Sequence, residues 1–261
     1  MHRDPSPTPK EELITGLARG MLVLECFVDK QKLSVTQVAS LATISRTAAR
    51  RHLKTLESIG YLESDGYFFW LTHRILRLSG AYLSSSPLSK IASPLLNGLT
   101  ERTRGNYSIG VLDEHEIVTI ACSYYPSPSK RRVLPSGIRN GNRLPAHTAS
   151  NGKMLLASLD ETALEHWLQR HPLTRVTPQT ITHLDSFKKH LDDIRQQDWC
   201  TASQEHEISF IAFAIPIRNA QGTVIAAMNV VDYVSDLTIE QLKQHHHVPM
   251  LETAREIRSF L

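Results

Sequence analysis

Ser45-Arg-Thr-Ala-Ala-Arg-Arg-His-Leu-Lys-Thr-Leu-Glu-Ser-Ile-Gly60 is the stretch on which the fold turns. A serine hydroxyl suits the start of a helix, and a glycine takes the left-handed conformation that ends one. Between them Ala49, Leu53, Leu56 and Ile59 fall on one apolar stripe, predicted to pack inward. Arg46, Thr47, Arg50, Arg51, Lys54 and Thr55 then face outward, with no acidic residue before Glu57. Such a face suits phosphates and base edges, whereas most charged helix faces are only solvated.

The flanking segments favour the first reading. Upstream, Leu33 to Ala42 predicts a short helix with Ser34 and Gln37 as a capping box. Helix, tight turn and helix make a helix-turn-helix. Downstream, Tyr61-Leu-Glu63 and Tyr67-Phe-Phe-Trp-Leu71 flank Ser64-Asp65-Gly66, which predicts a β-hairpin. A hairpin just after a recognition helix is a wing, so a winged helix-turn-helix is expected over residues 13–71. The alternative is a helical bundle with a solvated basic face. In the first reading Arg46, Thr47, Arg50 and Arg51 read base edges, while Arg19, Ser45, Lys54 and the wing hold phosphates.

Charge points the same way. Lys and Arg number 11 against 8 acids over residues 1–85, and 18 against 18 over residues 86–261, so the net charge of +3 lies in the first third. Any polyanion surface belongs there. With 41% apolar and 21% charged residues, the composition is that of an ordinary globular protein. No run reaches the ~18 apolar residues of a membrane span, and the proline-bearing N-terminus is no signal peptide. A cytoplasmic protein is expected. Cys26, Cys122 and Cys200 are too few and too scattered for a disulfide framework or zinc site, and are expected as buried free thiols.

Outward from the recognition unit, residues 1–12 predict a disordered arm. Gly16 to Val28 predicts a helix burying Leu17, Met21, Leu24 and Val28, with Leu22, Val23 and Phe27 widening the arc. Residues 72–86 predict a linker helix capped by Thr72, whose Ile75, Leu76, Leu78, Tyr82 and Leu83 need a partner such as a second protomer. Ser84-Ser-Ser-Pro87 marks the boundary of a second domain, 87–261. There a helix over 88–103 precedes strands at 107–112 and 116–122. Residues 124–145 form a long loop with one candidate strand at Arg132-Val-Leu134. Helices come next at 148–159, 160–170 and 185–197, then strands at 208–217 and 223–231 with 199–201 leading in. A last helix, 238–260, is interrupted at Pro249. Paired strands with helices between and after them predict an antiparallel sheet flanked by helices, and the class is α+β.

No catalytic constellation can be assembled: there is no G-x-S-x-G elbow, GxGxxG or P-loop. No cofactor, catalytic residue or metal site is expected. Consecutive residues on a helix point about 100° apart, so His245-His-His247 reads as a solvated helix face. Arg143-Leu-Pro-Ala-His-Thr-Ala-Ser-Asn-Gly-Lys-Met-Leu-Leu-Ala157 is the better candidate. A helix starting near His147 or Thr148 with small polar residues in its first turns leaves amides open to an anion; it equally suits a capped helix that only packs. Asn229 within an apolar strand needs a partner, which a ligand could supply.

Gly16 to Phe27, Ile44 to Leu62, Leu71 to Leu78, Arg143-Leu-Pro-Ala-His147 and Ile225 to Val230 together resemble the IclR family of bacterial transcriptional regulators. Ala81-Tyr-Leu-Ser-Ser85 with the Arg-Leu-Pro-Ala-His segment resembles its branch regulating β-ketoadipate pathway genes, which senses protocatechuate, 4-hydroxybenzoate or ring-cleavage products. The resemblance implies a GAF-like effector domain, homodimers or dimers of dimers, operator DNA and a small organic acid as partners, and RNA polymerase as a candidate contact. It places effector-binding residues at Ser150, Asn151, Ala202, Phe210, Ala212, Asn229 and Val231. Ala202 departs from the pattern, where an acid is common, which points to a more anionic or differently placed effector. Ser209 stands where relatives often have glycine. Lys130, Arg131, Arg132 and Arg139 fall in a stretch that aligns poorly, and either meet a carboxylate or are solvated. The expected function is a DNA-binding regulator controlled by a small carboxylate, acting as activator or repressor. The alternatives are a constitutive regulator whose second domain only oligomerises, and an enzyme with a vestigial winged helix.

Overall fold

The ends of the recognition helix are set by hydrogen bonds that its sequence can be read to require. In the computed structural model, which describes residues 13–28, 30–126 and 138–261, helix α3 runs Arg46–Ser58 and the Ser45 hydroxyl accepts from the Ala48 amide at 3.2 Å. At its other end Tyr61 N–H donates to Leu56 and Gly60 N–H to Glu57, both at 2.9 Å, with Gly60 at φ +80°. That pair of bonds is the Schellman stop. Ile59, expected inward, is 47% exposed, because the helix ends before it and the stripe no longer sets its direction. Helix α2, Val35–Leu41, carries the expected Ser34/Gln37 capping box.

Between α2 and α3 the same stop recurs without a glycine. Ile44 N–H donates to Ala39, Thr43 N–H to Ser40, and Thr43 sits at φ +52°. A β-branched residue in that region is strained. The wing is β2, Leu62–Ser64, and β3, Phe68–Leu71; β3 also pairs with the short β1, Leu33–Ser34. Helix α1 is Thr15–Glu25 and buries Val23 and Leu24, with Phe27 just beyond it in the same core. The expected stripe is corrected here: Leu17, Met21, Leu22 and Val28 are exposed, and Val23, Leu24 and Phe27 carry the burial.

The linker region begins as expected, with Thr72 accepting from Arg74 N–H, and continues as α4, Leu76–Ser85. None of its residues is buried within the chain, and Leu76, Leu78 and Tyr82 are exposed. Ser86 caps α5, Pro87–Thr103. The chain divides into two units at Tyr82/Leu83. The expected arm 1–12, the candidate strand at 132–134 and the cations Lys130, Arg131 and Arg132 lie outside the described residues.

The second unit is one antiparallel sheet between two helical layers. Its strands are β4 (Asn106–Asp113), β5 (Glu116–Ser123), β6 (Arg143–Pro145), β7 (Cys200–Ser203), β8 (Phe210–Arg218) and β9 (Val224–Tyr233), in the order β6-β5-β4-β9-β8-β7. β6, expected as loop, is held by Arg143, which donates to Asp113 and Glu116, both at 2.6 Å. Helices α5 and α9 (Ile239–Ser259) cover one face with Leu96, Leu99, Phe213, Ile215 and Met228. Helices α6 (Ser150–Ala157), α7 (Glu161–Arg170) and α8 (Leu184–Gln197) cover the other. Helix α9 is continuous through Pro249: its buried Leu242, His246, Met250, Ala254 and Ile257 hold it to the sheet across the proline. No helix among the described residues is long and apolar enough to cross a membrane. Of the three thiols only Cys200 is fully buried; Cys26 and Cys122 are half-buried.

His246 also corrects the expectation of a solvated triplet. It is buried, with Nδ1 2.6 Å from the Tyr107 hydroxyl, which is 2.7 Å from Thr103 Oγ1. Thr103 gives its hydrogen to the Leu99 carbonyl at 2.7 Å. Tyr107 therefore donates to Thr103, and the Nδ1–H tautomer of His246 donates to Tyr107. Burial, with His245 adding to it, lowers the His246 pKa to about 4.

Both the strained turn and the buried histidine can be measured. Thr43→Gly removes the left-handed strain and should stabilise the first unit by up to about 1 kcal/mol, seen as a higher denaturation midpoint at unchanged m-value. Because His246 binds a proton more weakly folded than unfolded, its contribution is fully present above about pH 6.5 and lost as pH falls toward 4. His246→Leu should flatten the fall in Tm across that window, leaving the parts due to His190, also lowered to about 4 by burial and then Lys153, and to His147, His171, His206 and His247, which burial lowers too. Equal slopes in the two proteins would contradict this assignment.

Candidate functional site

On the first unit, α3 presents Arg46, Thr47, Arg50, Arg51, Lys54 and Thr55 to solvent. Arg46 and Arg50, and Thr47 and Arg51, are i, i+4 pairs, so they form two adjacent rows on one side. Lys54 meets Glu57 at 2.6 Å, so one of the four cations has an exposed partner, an interaction worth little in water. Ser45 accepts the helix-capping bond and keeps its own hydrogen for donation. Arg19 is exposed on α1. The wing tip carries no cation of its own. Asp65 accepts from Tyr67 N–H at 3.0 Å and Phe68 N–H at 2.8 Å, and these bonds, the Phe68 one foremost, hold its carboxyl below the usual range. The wing's positive charge comes from Lys32, 3.7 Å from Asp65 and 4.3 Å from the Trp70 ring centre. Lys32 precedes β1, and nothing in the sequence ties it to the hairpin. Tyr67, 80% exposed, stands at the tip.

On the second unit a cavity open to solvent lies between α6 and the sheet. Strand register explains it. Ala202 on β7, Ala212 on β8 and Val231 on β9 are cross-strand neighbours in one row. Phe210, Ala214 and Asn229 share their face because strand side chains alternate. The opposite face carries Ile211, Phe213, Ile215, Met228 and Val230. Small side chains toward α6 leave the space that large ones fill on the other side.

The end of α6 completes the cavity. Gly152 packs so closely on the segment after β6 that an added Cβ would lie 2.2 Å from the Ala146 carbonyl oxygen. The helix starts at Ser150, two residues later than expected, and Ala149 at its N-cap offers no side-chain acceptor. Its first-turn amides are thus left for another partner. The Ser150 hydroxyl, buried in the lining, has no hydrogen-bond partner among the described residues. Six of the seven residues expected around an effector line this cavity: Ser150, Ala202, Phe210, Ala212, Asn229 and Val231. Asn151 is not among them. It faces β4, where its Nδ2 lies 2.8 Å from the position a Gly110 Cβ would take. Asn229 has a protein partner already, the Ser108 hydroxyl on the neighbouring strand.

The cavity also holds residues the sequence did not single out. Glu205, His206 and Glu207 line it from the β7–β8 connection, where Gln204 at φ +57° and Ser209 at φ +80° are left-handed. Ser209 thus occupies the conformation for which a glycine is suited. Thr148 Oγ1 is 3.2 Å from His206 Nδ1, and burial lowers the His206 pKa. Lys153, fully buried on α6, donates to Glu205 at 2.6 Å and to the Thr201 carbonyl at 3.3 Å. Acidity missing at Ala202 is thus present at Glu205. A charged residue between Gly152 and Met154 was the available sign that Lys153 has a buried partner. The partner itself, 52 residues away, left none. Of the basic loop's four cations only Arg139 is described, and it is exposed.

Comparison with known proteins gives these two sites a context. Residues 16–66 match the IclR helix-turn-helix domain and residues 80–259 the bacterial transcriptional regulator IclR C-terminal domain. The chain is 47% identical over 252 residues to the p-hydroxybenzoate hydroxylase transcriptional activator of Acinetobacter baylyi, covering 96% of this chain and 93% of that protein. A double mutant of the PobR inducer-binding domain from Acinetobacter, in complex with 3-hydroxybenzoic acid, is 42% identical with a TM-score of 0.61, covering 66% of this chain and 98% of that one. An IclR homologue from Microbacterium hydrocarbonoxydans complexed with 4-hydroxybenzoate is 26% identical with a TM-score of 0.75, covering 94% and 98%. With a capped basic helix beside a wing, a second unit with a cavity between helix and sheet, and both family domains matched in order, the chain belongs to the IclR family of effector-controlled, DNA-binding transcriptional regulators.

Proposed function

We propose that the effector is an aromatic carboxylic acid of the hydroxybenzoate class, bound in the cavity between α6 and the sheet. The observation that carries this is the Ser150 hydroxyl, buried without a partner among the described residues at the uncapped start of α6. Free first-turn amides, the helix dipole and that hydroxyl converge on a place for a carboxylate. Phe210 and the alanines at 202 and 212 supply the apolar surface an aromatic ring needs. The hydroxybenzoate complexes of the Acinetobacter and Microbacterium relatives support the same class, as does the p-hydroxybenzoate activator.

In this reading the domains are those drawn from the sequence: winged helix 13–71, linker 72–86 and effector domain 87–261. Arg46, Thr47, Arg50 and Arg51 enter the major groove, and Arg19, Ser45 and Lys54 hold phosphates. Lys32 takes the phosphate contact first given to the wing. The exposed Leu76, Leu78 and Tyr82 of α4 favour a homodimer, which two operator half-sites require. The protein then works where operator DNA is, in the cytoplasm.

Adding 4-hydroxybenzoate to the full chain at a hundredfold excess over Kd should stabilise it by about 2.7 kcal/mol, a Tm rise of several degrees. No rise with any hydroxybenzoate would refute the effector assignment. Arg50→Ala should weaken operator binding by about 1–3 kcal/mol and relax preference at one base pair, whereas Lys54→Ala should lower affinity uniformly and reduce the salt slope by about 1. Unchanged base preference in Arg50→Ala would remove it from the base-reading set.

A further inference from the structure

We infer that the Oε2 atom of Glu205 is the acceptor for a hydroxyl on the effector ring, which makes Glu205 the residue that selects hydroxylated over unhydroxylated aromatic acids. The inference rests on the effector reading of the same cavity. Glu205 lines that cavity yet is only 8% exposed. Its two carboxylate oxygens are in different situations. Oε1 takes the Lys153 ammonium at 2.6 Å. Oε2 is buried and has no hydrogen-bond partner among the described residues.

The carboxylate is fixed in place from both ends. Its own backbone carbonyl accepts from Thr180 Oγ1 at 2.7 Å, and the neighbouring Gln204 carbonyl accepts from Thr177 Oγ1 at 2.7 Å. Lys153 is in turn held by the Thr201 carbonyl at 3.3 Å and lies 3.2 Å from His190 Nε2. A carboxylate so positioned cannot turn away to find another donor. An unpaired buried oxygen is costly, more so when charged.

The chemistry of that oxygen restricts what can meet it. An ionised carboxylate accepts and does not donate, so the ligand atom must bring a hydrogen. A ring hydroxyl does; a fluorine, an ether oxygen or the effector's own carboxylate does not, and the last would also be repelled. The other orphan in the lining, Ser150 Oγ, sits at the positive end of α6 and suits the carboxylate. Two unpartnered groups of opposite preference therefore fix the polarity of the ligand, acid toward α6 and hydroxyl toward Glu205.

The test is calorimetric binding of 3-hydroxybenzoate, 4-hydroxybenzoate, benzoate and 4-fluorobenzoate to the full-length protein and its variants, with folding checked by circular dichroism. The wild type should bind at least one hydroxybenzoate about ten- to a hundredfold tighter than benzoate and 4-fluorobenzoate, the range for a hydrogen bond to a charged group. Glu205→Gln should shrink that margin to about threefold or less. Lys153→Met combined with Glu205→Leu, which removes both charges and leaves no buried ion unpaired, should do the same. Ser150→Ala should weaken all four acids together and keep the margin. Benzoates that bind the wild type without discrimination, or a margin that survives in either Glu205 variant, would overturn the assignment while leaving the effector reading intact. If none of the four binds, both fall.

Discussion

Lys153 is fully buried, and an ammonium in a protein interior needs an opposite charge or it cannot remain ionised there. Glu205 supplies that charge at 2.6 Å from the far end of β7. The pair joins α6 to the β7–β8 connection across the space where the sheet carries Ala202 and Ala212. Breaking one half would strand the other, which is why such pairs are far more costly to split than to replace whole. The cavity exists because this tie holds its two walls at a fixed separation while Ala202 and Ala212 decline to fill the gap.

The second requirement on α6 is closeness. All eight of its residues are buried, and Gly152 lets its backbone rest on Ala146 at a distance no side chain permits. Gly110 on β4 makes room in the same way for Asn151. Neither glycine uses left-handed freedom; both are needed because they lack a Cβ. The Arg143 bridge to Asp113 and Glu116 sets β6, and hence the Ala146 against which Gly152 packs. The Arg-Leu-Pro-Ala-His segment is thus structural at its arginine and bears on the cavity mainly by seating the start of α6.

Much of the first unit was legible because its determinants are local. A cap, a capping box, a glycine stop and an Asp-Gly turn each act within a few residues, and α2, α3 and the wing result from them. The exposed stripe of α1 was not, since periodicity shows which residues share a face but not how much of the helix reaches the core. His246 failed for the opposite reason: a polar triplet reads as solvated unless one knows that Tyr107, 139 residues away, offers it a hydrogen bond. The cavity row was reached through family resemblance, which carries long-range register that spacing alone cannot. Asn229 seemed to want a ligand until Ser108 proved to be opposite it in the sheet.

Glu205 stands on backbone that is held against its own preference. Gln204 and Ser209, at either end of its loop, are both left-handed without being glycine, a conformation that persists only where surrounding contacts over-determine it. Here Gln204 N–H bonds the Phe210 carbonyl at 2.8 Å, Val234 N–H bonds the Ser209 carbonyl at 2.8 Å, and Thr177 and Thr180 bond the Gln204 and Glu205 carbonyls, each at 2.7 Å. A group placed so firmly is organised before any ligand arrives, so binding carries little ordering cost and the geometry itself discriminates. Firmness of this kind gives selectivity but no movement. A regulator responds only if its ligand favours one arrangement over another, so the responding element must be softer than the β7–β8 loop. Within the second unit the opposite wall of the cavity, the uncapped first turn of α6 with its Ser150 hydroxyl, is the part whose bonding a carboxylate would change most.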